Sequence, residues 1–118
     1  MTKFENKATD IKLSEFEGEE KKSERGMTFA DLTILCLNLP PQGGYSVSEM
    51  KTRLPITEKL DTIKLDANGS VELEQAQLEK IQECENKMDG HWTQPHKDLI
   101  AFSAYIRKLG EGKSETEA

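Results

Sequence analysis

The residues of this 118-residue chain whose types and spacing bear on chemistry are two cysteines, two histidines and a scatter of charged groups around them. Cys84, His91 and His96 fall in the pattern C-x6-H-x4-H, with Glu83, Glu85 and Asp89 close by in sequence. Zinc accepts such ligands, but a structural zinc site takes four, usually with a second Cys close to the first, and three are present. Cys84 or Cys36 with a histidine would be the parts of a thiol nucleophile. Both cysteines fall on apolar helix faces, where desolvation suppresses a thiolate. Unpaired, they serve as small hydrophobes, although the sequence leaves a single bridge between them open. Gly43-Gly44 lacks the Lys-Ser/Thr pair of a phosphate loop, and no paired-carboxylate motif or nucleophile elbow occurs. The expectation is a chain without catalytic residues, metal or cofactor.

Binding chemistry is better represented. Lys51, Arg53, Lys59 and Lys64 follow a helix-elbow-helix pattern, and Tyr45-Ser46-Val47-Ser48-Glu49-Met50 with Leu54 resembles the second helix of winged helix-turn-helix regulators. A recognition helix two to three turns long and basic should follow; instead comes the short segment Pro55 to Asp61. Residues 46–73 hold 4 basic against 5 acidic side chains, so the segment repels phosphate. Protein interfaces suit the remaining candidates. Trp92, the only tryptophan, lies in a loop between two histidines, and tryptophan is over-represented at binding hot spots. Gln42 and Tyr45 flank the elbow. Glu74, Glu79, Glu83 and Glu85 give the helix over 74–88 an acidic face against Lys80 and Lys87, suited to a basic groove.

The elements that must position these groups are legible as start and stop signals. Thr28 with Asp31 is a capping-box arrangement opening a helix over about 28–38, and Phe29, Leu32, Cys36 and Leu39, widened by Ile34, Leu35 and Leu37, mark it as central. Pro40-Pro41 stops it and Gly43-Gly44 supplies positive φ for the reversal. Ser46 with Glu49 starts a second helix whose inner face would be Val47, Met50 and Leu54, ended near Pro55. Ile63 and Leu65, then Asn68-Gly69, then Val71 and Leu73 predict a β-hairpin with a type I′ turn. A helix over 74–88 carries Leu78, Ile81, Cys84 or Glu85, and Met88 inward and ends at Asp89-Gly90. Pro95 opens the last helix, with Leu99, Phe102, Ile106 and Leu109 inside. The fold expected is α+β: four helices with a β-hairpin between the second and third, on a helix-turn-helix-like start.

Residues 1–26 differ from the rest. They hold 7 acidic and 6 basic residues, and Ile11 with Leu13 would allow one short strand, with Glu17 to Arg25 a solvated charge run. The division expected is a charged arm over 1–26, a compact domain over 27–109 and a disordered tail over 110–118. A net charge of −6 and 32% charged residues disfavour a nonspecific grip on nucleic acid or an anionic membrane. No apolar run approaches the roughly 20 residues needed to span a bilayer, so a soluble, cytoplasmic protein is expected.

The stretch from Met27 to about Leu109, through TFADL, LNLPPQGGYSVSEMKTRL, the acidic helix and the terminal helix, resembles short reading frames carried by tailed phages and prophages. The resemblance implies a small accessory protein that binds another protein, in the host cytoplasm or on the virion, and transfers no site residues. The function expected is a non-enzymatic protein-binding module, an assembly or regulatory factor that docks to a viral or host protein or to itself as a homodimer or higher oligomer. The alternatives are a winged-helix transcriptional regulator using the four basic residues, and a virion component that polymerises through the arm.

Overall fold

Helix α1 (Phe29–Leu37) has no exposed position: seven of its nine residues are buried, and Ile34 and Leu35 are half-buried. The computed structural model describes residues 1–12, 26–92 and 95–109, and everything else in it is arranged around this helix. In chain order come strands β1 (Thr2–Glu5), β2 (Ala8–Lys12) and β3 (Gly26–Thr28), then α1, α2 (Val47–Asp61), β4 (Ser70–Leu73), α3 (Gln75–Met88) and α4 (Lys97–Lys108). Among the described residues the architecture is α+β, four helices with two small antiparallel strand pairs, β1 with β4 and β2 with β3. The capping box at Thr28 and Asp31 is formed, with the Thr28 amide donating to Asp31 Oδ2 at 2.8 Å. Gly43 and Gly44, at φ +87° and +96°, make the expected elbow between α1 and α2.

The chain start departs from the expected charged arm. Residues 1–12 form two strands, and Phe4 and Ile11 lie at the bottom of the core. Alternation over only four or five residues, interrupted by Asn6-Lys7, is too short a signal to outweigh the surrounding charge. Asn6 itself is buried and fully used. Its side chain donates to the carbonyls of Ile63 (2.8 Å) and Asp66 (3.1 Å) and accepts from the Ala30 amide (2.8 Å), and its amide donates to the Gly69 carbonyl (2.9 Å). The expectations for Leu13, Glu17 to Arg25 and the tail over 110–118 lie outside the described residues.

The same bonds explain why β4 has a different partner from the one its neighbouring sequence suggested. Residues 62–65 form turns, and β4 pairs with β1 in the register Thr2 to Leu73 and Phe4 to Val71. The carbonyls a hairpin would use are committed: those of Ile63 and Asp66 to Asn6, and that of Lys64 to Thr28 Oγ1 at 2.9 Å. A type I′ turn needs positive φ at both central residues, and neither Asn68 nor Gly69 adopts it. Gly69 serves close packing instead, since a Cβ there would stand 2.8 Å from the Ile63 side chain. Leu65, expected inside, is exposed.

Helix α2 is longer than expected and turned about its axis. It runs through Pro55 to Asp61 and buries Arg53, Ile56 and Leu60, three and four residues apart. Pro55 is tolerated because it lies on the solvent side, where the Lys51 carbonyl that lost its donor meets water. With Ile56 and Leu60 anchoring the inner face, Val47, Met50 and Leu54 point outward, opposite to the expected placement.

A run of rings joins the strands to the last helix. Phe4 meets Tyr105 edge-on at 5.7 Å, Phe29 meets Tyr105 and Phe102 at 5.4 and 5.5 Å, and Phe102 meets Trp92 at 6.2 Å. Phe4→Ala is expected to lower unfolding free energy in urea by about 3–5 kcal/mol, the usual cost of emptying a buried phenylalanine site. A chain begun at Met27 is expected to lose its cooperative urea transition, because it lacks Phe4, Asn6 and Ile11.

Candidate functional site

The four basic residues of the nucleic-acid alternative do not form a patch. Arg53 is buried: its Nη1 donates to the carbonyls of Leu37 and Leu39, both at 2.9 Å, and its Nε donates to Glu49 Oε1 at 2.8 Å. The guanidinium carbon lies 5.2 Å from the centre of the Tyr45 ring. Arg53 therefore caps the C-terminal end of α1, and Tyr45, an expected interface residue, is half-buried beneath it. Lys59 Nζ donates to the Glu72 carbonyl at 2.7 Å and to Gln77 at 2.8 Å, and Lys64 pairs with Asp61 at 3.1 Å. Lys51 alone of the four is exposed without a bond among the described residues.

The acidic face of α3 is divided between surface and core. Glu74 and Glu79 are exposed. Glu83 pairs with Lys80 at 3.3 Å and Lys87 at 3.1 Å, and the bond from Lys87 holds its carboxyl below the ordinary value. Glu85 does not belong to that face. It is 1% exposed, accepts from Ser103 Oγ at 2.7 Å, and pairs with Arg107 Nε at 3.1 Å. Arg107 Nη2 also reaches Asp89 at 3.2 Å, so one guanidinium ties the end of α3 to α4. The signal was present in Glu85 standing at core spacing after Leu78 and Ile81.

Beside that tie lies an open concavity with an apolar floor. Trp92, Leu99, Ile100 and Ala104 form the floor of an open groove of about 630 Å³, with Asp89, His96, Arg107 and Lys108 along its rim. Its shape follows from local sequence. Gly90 (φ +91°) ends α3 and turns the chain into Trp92, and His96, not Pro95, caps α4, its Nδ1 accepting from the Asp98 amide at 3.0 Å. Trp92 is half-buried, packed through one edge on Phe102. Ile100 is 75% exposed. Gln42, at the elbow, is exposed and does not line this groove.

The sulfur chemistry is subdued. Both cysteines are free and buried, and burial raises both thiols. Among the described residues no three His, Cys, Asp or Glu side chains converge as metal ligands, and no helix is long and apolar enough to cross a membrane.

Replacing Arg53 tests its structural role. Arg53→Met strands two carbonyls and Glu49 and is expected to cost about 3 kcal/mol in urea unfolding. The Arg53 bond, with Lys80 behind it, holds Glu49 below its ordinary 4.5. A carboxylate lowered by folding stabilises above its unfolded value and loses that contribution as pH falls through its folded one. Stability is thus expected to decline as pH drops below about 4.5. In Glu49→Gln the decline should be shallower, read as the unfolding midpoint against pH.

No protein-family model, no curated protein and no solved structure matches this chain, so what it does must be argued from its own surfaces.

Proposed function

We propose that this protein is a non-enzymatic docking module that receives an apolar side chain of a protein partner in the groove between the end of α3 and α4. The observation that carries this reading is the groove itself. Trp92 and Ile100 present apolar area at a surface otherwise rich in charge, and rigid aromatic area is what interface hot spots use. The floor is preformed, since Phe102 and the Glu85–Ser103–Arg107 bonds fix its walls, so little ordering opposes binding. His96, Arg107 and Lys108 favour a ligand with acidic residues beside its apolar anchor. The resemblance to phage-borne accessory reading frames supports the same kind of work, and the burial of Arg53 weighs against the nucleic-acid alternative.

A random peptide library displayed against the intact protein is expected to yield sequences with a large apolar anchor and acidic neighbours. Binding can be followed by the emission of Trp92, the only tryptophan. Ile100→Lys should weaken it about ten-fold or more. Ala101→Lys, an exposed position outside the groove, should leave it unchanged. Recovery of no such peptide, or equal weakening by both substitutions, would overturn the reading.

A further inference from the structure

Arg107 borders the groove with its guanidinium held firmly on one side and loosely on the other. On the firm side Nε donates to Glu85 Oε1 at 3.1 Å. The Glu85 side chain is 2% exposed and also takes the Ser103 hydroxyl at 2.7 Å. A carboxylate so buried does not give up its cation, so this bond fixes the guanidinium plane beside the apolar floor. The second contact is of another kind. Nη2 reaches Asp89 Oδ2 at 3.2 Å, and the Asp89 side chain is 66% exposed. That carboxylate has no other bond among the described residues, and Nη1 has none at all among them. An exposed ion pair of this sort adds little to stability and exchanges readily.

On the basis of the groove proposed above, we infer that Arg107 receives the acidic side chain of the partner, and that Asp89 occupies its place until then. A carboxylate facing the Nη edge of an arginine takes two parallel bonds, where Asp89 takes one. An incoming Glu or Asp therefore replaces one bond by two, and Glu85 stays in place behind the guanidinium. A neutral amide or hydroxyl gains no such advantage, because it must displace a charged acceptor and forms a weaker bond. Asp89 thus selects among partners. It admits an apolar anchor with an acid beside it and holds off the same anchor without one. Trp92 and Ile100 border the same groove as Arg107 and Asp89, so anchor and acid are read side by side.

Two acetylated and amidated tripeptides, Glu-Phe-Glu and Gln-Phe-Gln, test this on the full chain. The emission of Trp92, the only tryptophan, is the signal. The acidic peptide is expected to bind about ten-fold tighter than its neutral counterpart, the worth of one charged contact. Asp89→Asn should tighten Glu-Phe-Glu about three-fold or more and leave Gln-Phe-Gln within about two-fold. Glu58→Gln, which removes the same charge from an exposed position on α2, should change neither. Arg107→Lys should remove most of the preference, since an ammonium has no planar pair of donors. Thermal midpoints near the parent's show that the variants are folded, and the exposed Asp89→Asn carries the test if Arg107→Lys is not. Equal binding of both peptides to the parent would overturn the inference and leave the groove reading standing. So would an Asp89→Asn effect shared by both peptides or by Glu58→Gln. Silence from both peptides up to about 10 mM would overturn it as well, and the displayed library then judges the groove by itself.

Discussion

A helix with no exposed position must have its two polar ends satisfied by the rest of the protein, and that constraint organises this fold. The first amides and last carbonyls of a helix have no partners within it. Thr28 and Asp31 serve the first turn, and Asn6 takes the Ala30 amide from outside. At the other end Arg53 accepts no substitute of ordinary polarity, because it meets two carbonyls and a carboxylate with one planar group. Asn6 belongs to the chain start and Arg53 to the middle of α2. The ends of α1 thus dictate where both elements sit, and β4 follows because β1 has been fixed beside it.

Local chemistry was legible and its long-range uses were not. Thr28 with Asp31, Ser46 with Glu49, the Gly43-Gly44 elbow and Gly90 all act where their residue types placed them, because each acts within a few residues of itself. The hairpin reading relied on Asn68-Gly69 as a local signal, whereas Gly69 is set by contact with Ile63 and by the amide of Asn6. Pro55 suggested the end of a helix, but its penalty is small where the orphaned carbonyl faces water, and the apolar pair Ile56 and Leu60 carries the helix past it. That extension is why Val47, Met50 and Leu54, periodic in the way a core face is periodic, turn out to be an outer stripe. Of the groove's lining, Trp92 stands out in the sequence by its rarity. Glu85 was grouped with surface glutamates because its partners, Ser103 and Arg107, are on another helix.

Charge in this protein does two kinds of work. Some of it is internal: Arg53 with Glu49, and Arg107 with Glu85 and Asp89, close gaps between elements that a small apolar core leaves open. The remainder faces outward, and two exposed apolar regions differ in the way apolar area and charge meet there. On α4 the apolar floor is concave and rimmed by polar groups; on α2 the stripe of Val47, Met50 and Leu54 is convex, with Lys51 beside its middle. A concave patch suits an inserted side chain, and a convex helical one suits another helix.

The pairing of β1 with β4 also has a consequence in time. Phe4 and the residue opposite it, Val71, are far apart along the chain, and Phe4 is synthesised well before it. At about 5–20 residues per second of translation, Phe4 waits several seconds for its strand partner. Asn6 likewise waits for the carbonyls of Ile63 and Asp66. The nascent chain therefore exposes a fully buried aromatic residue well before the strand that covers it. Lys3, Glu5 and Lys7, alternating with the residues that end inside, keep that stretch charged while it waits. The charge that makes the chain start read as an arm protects a strand from aggregating before its partner exists.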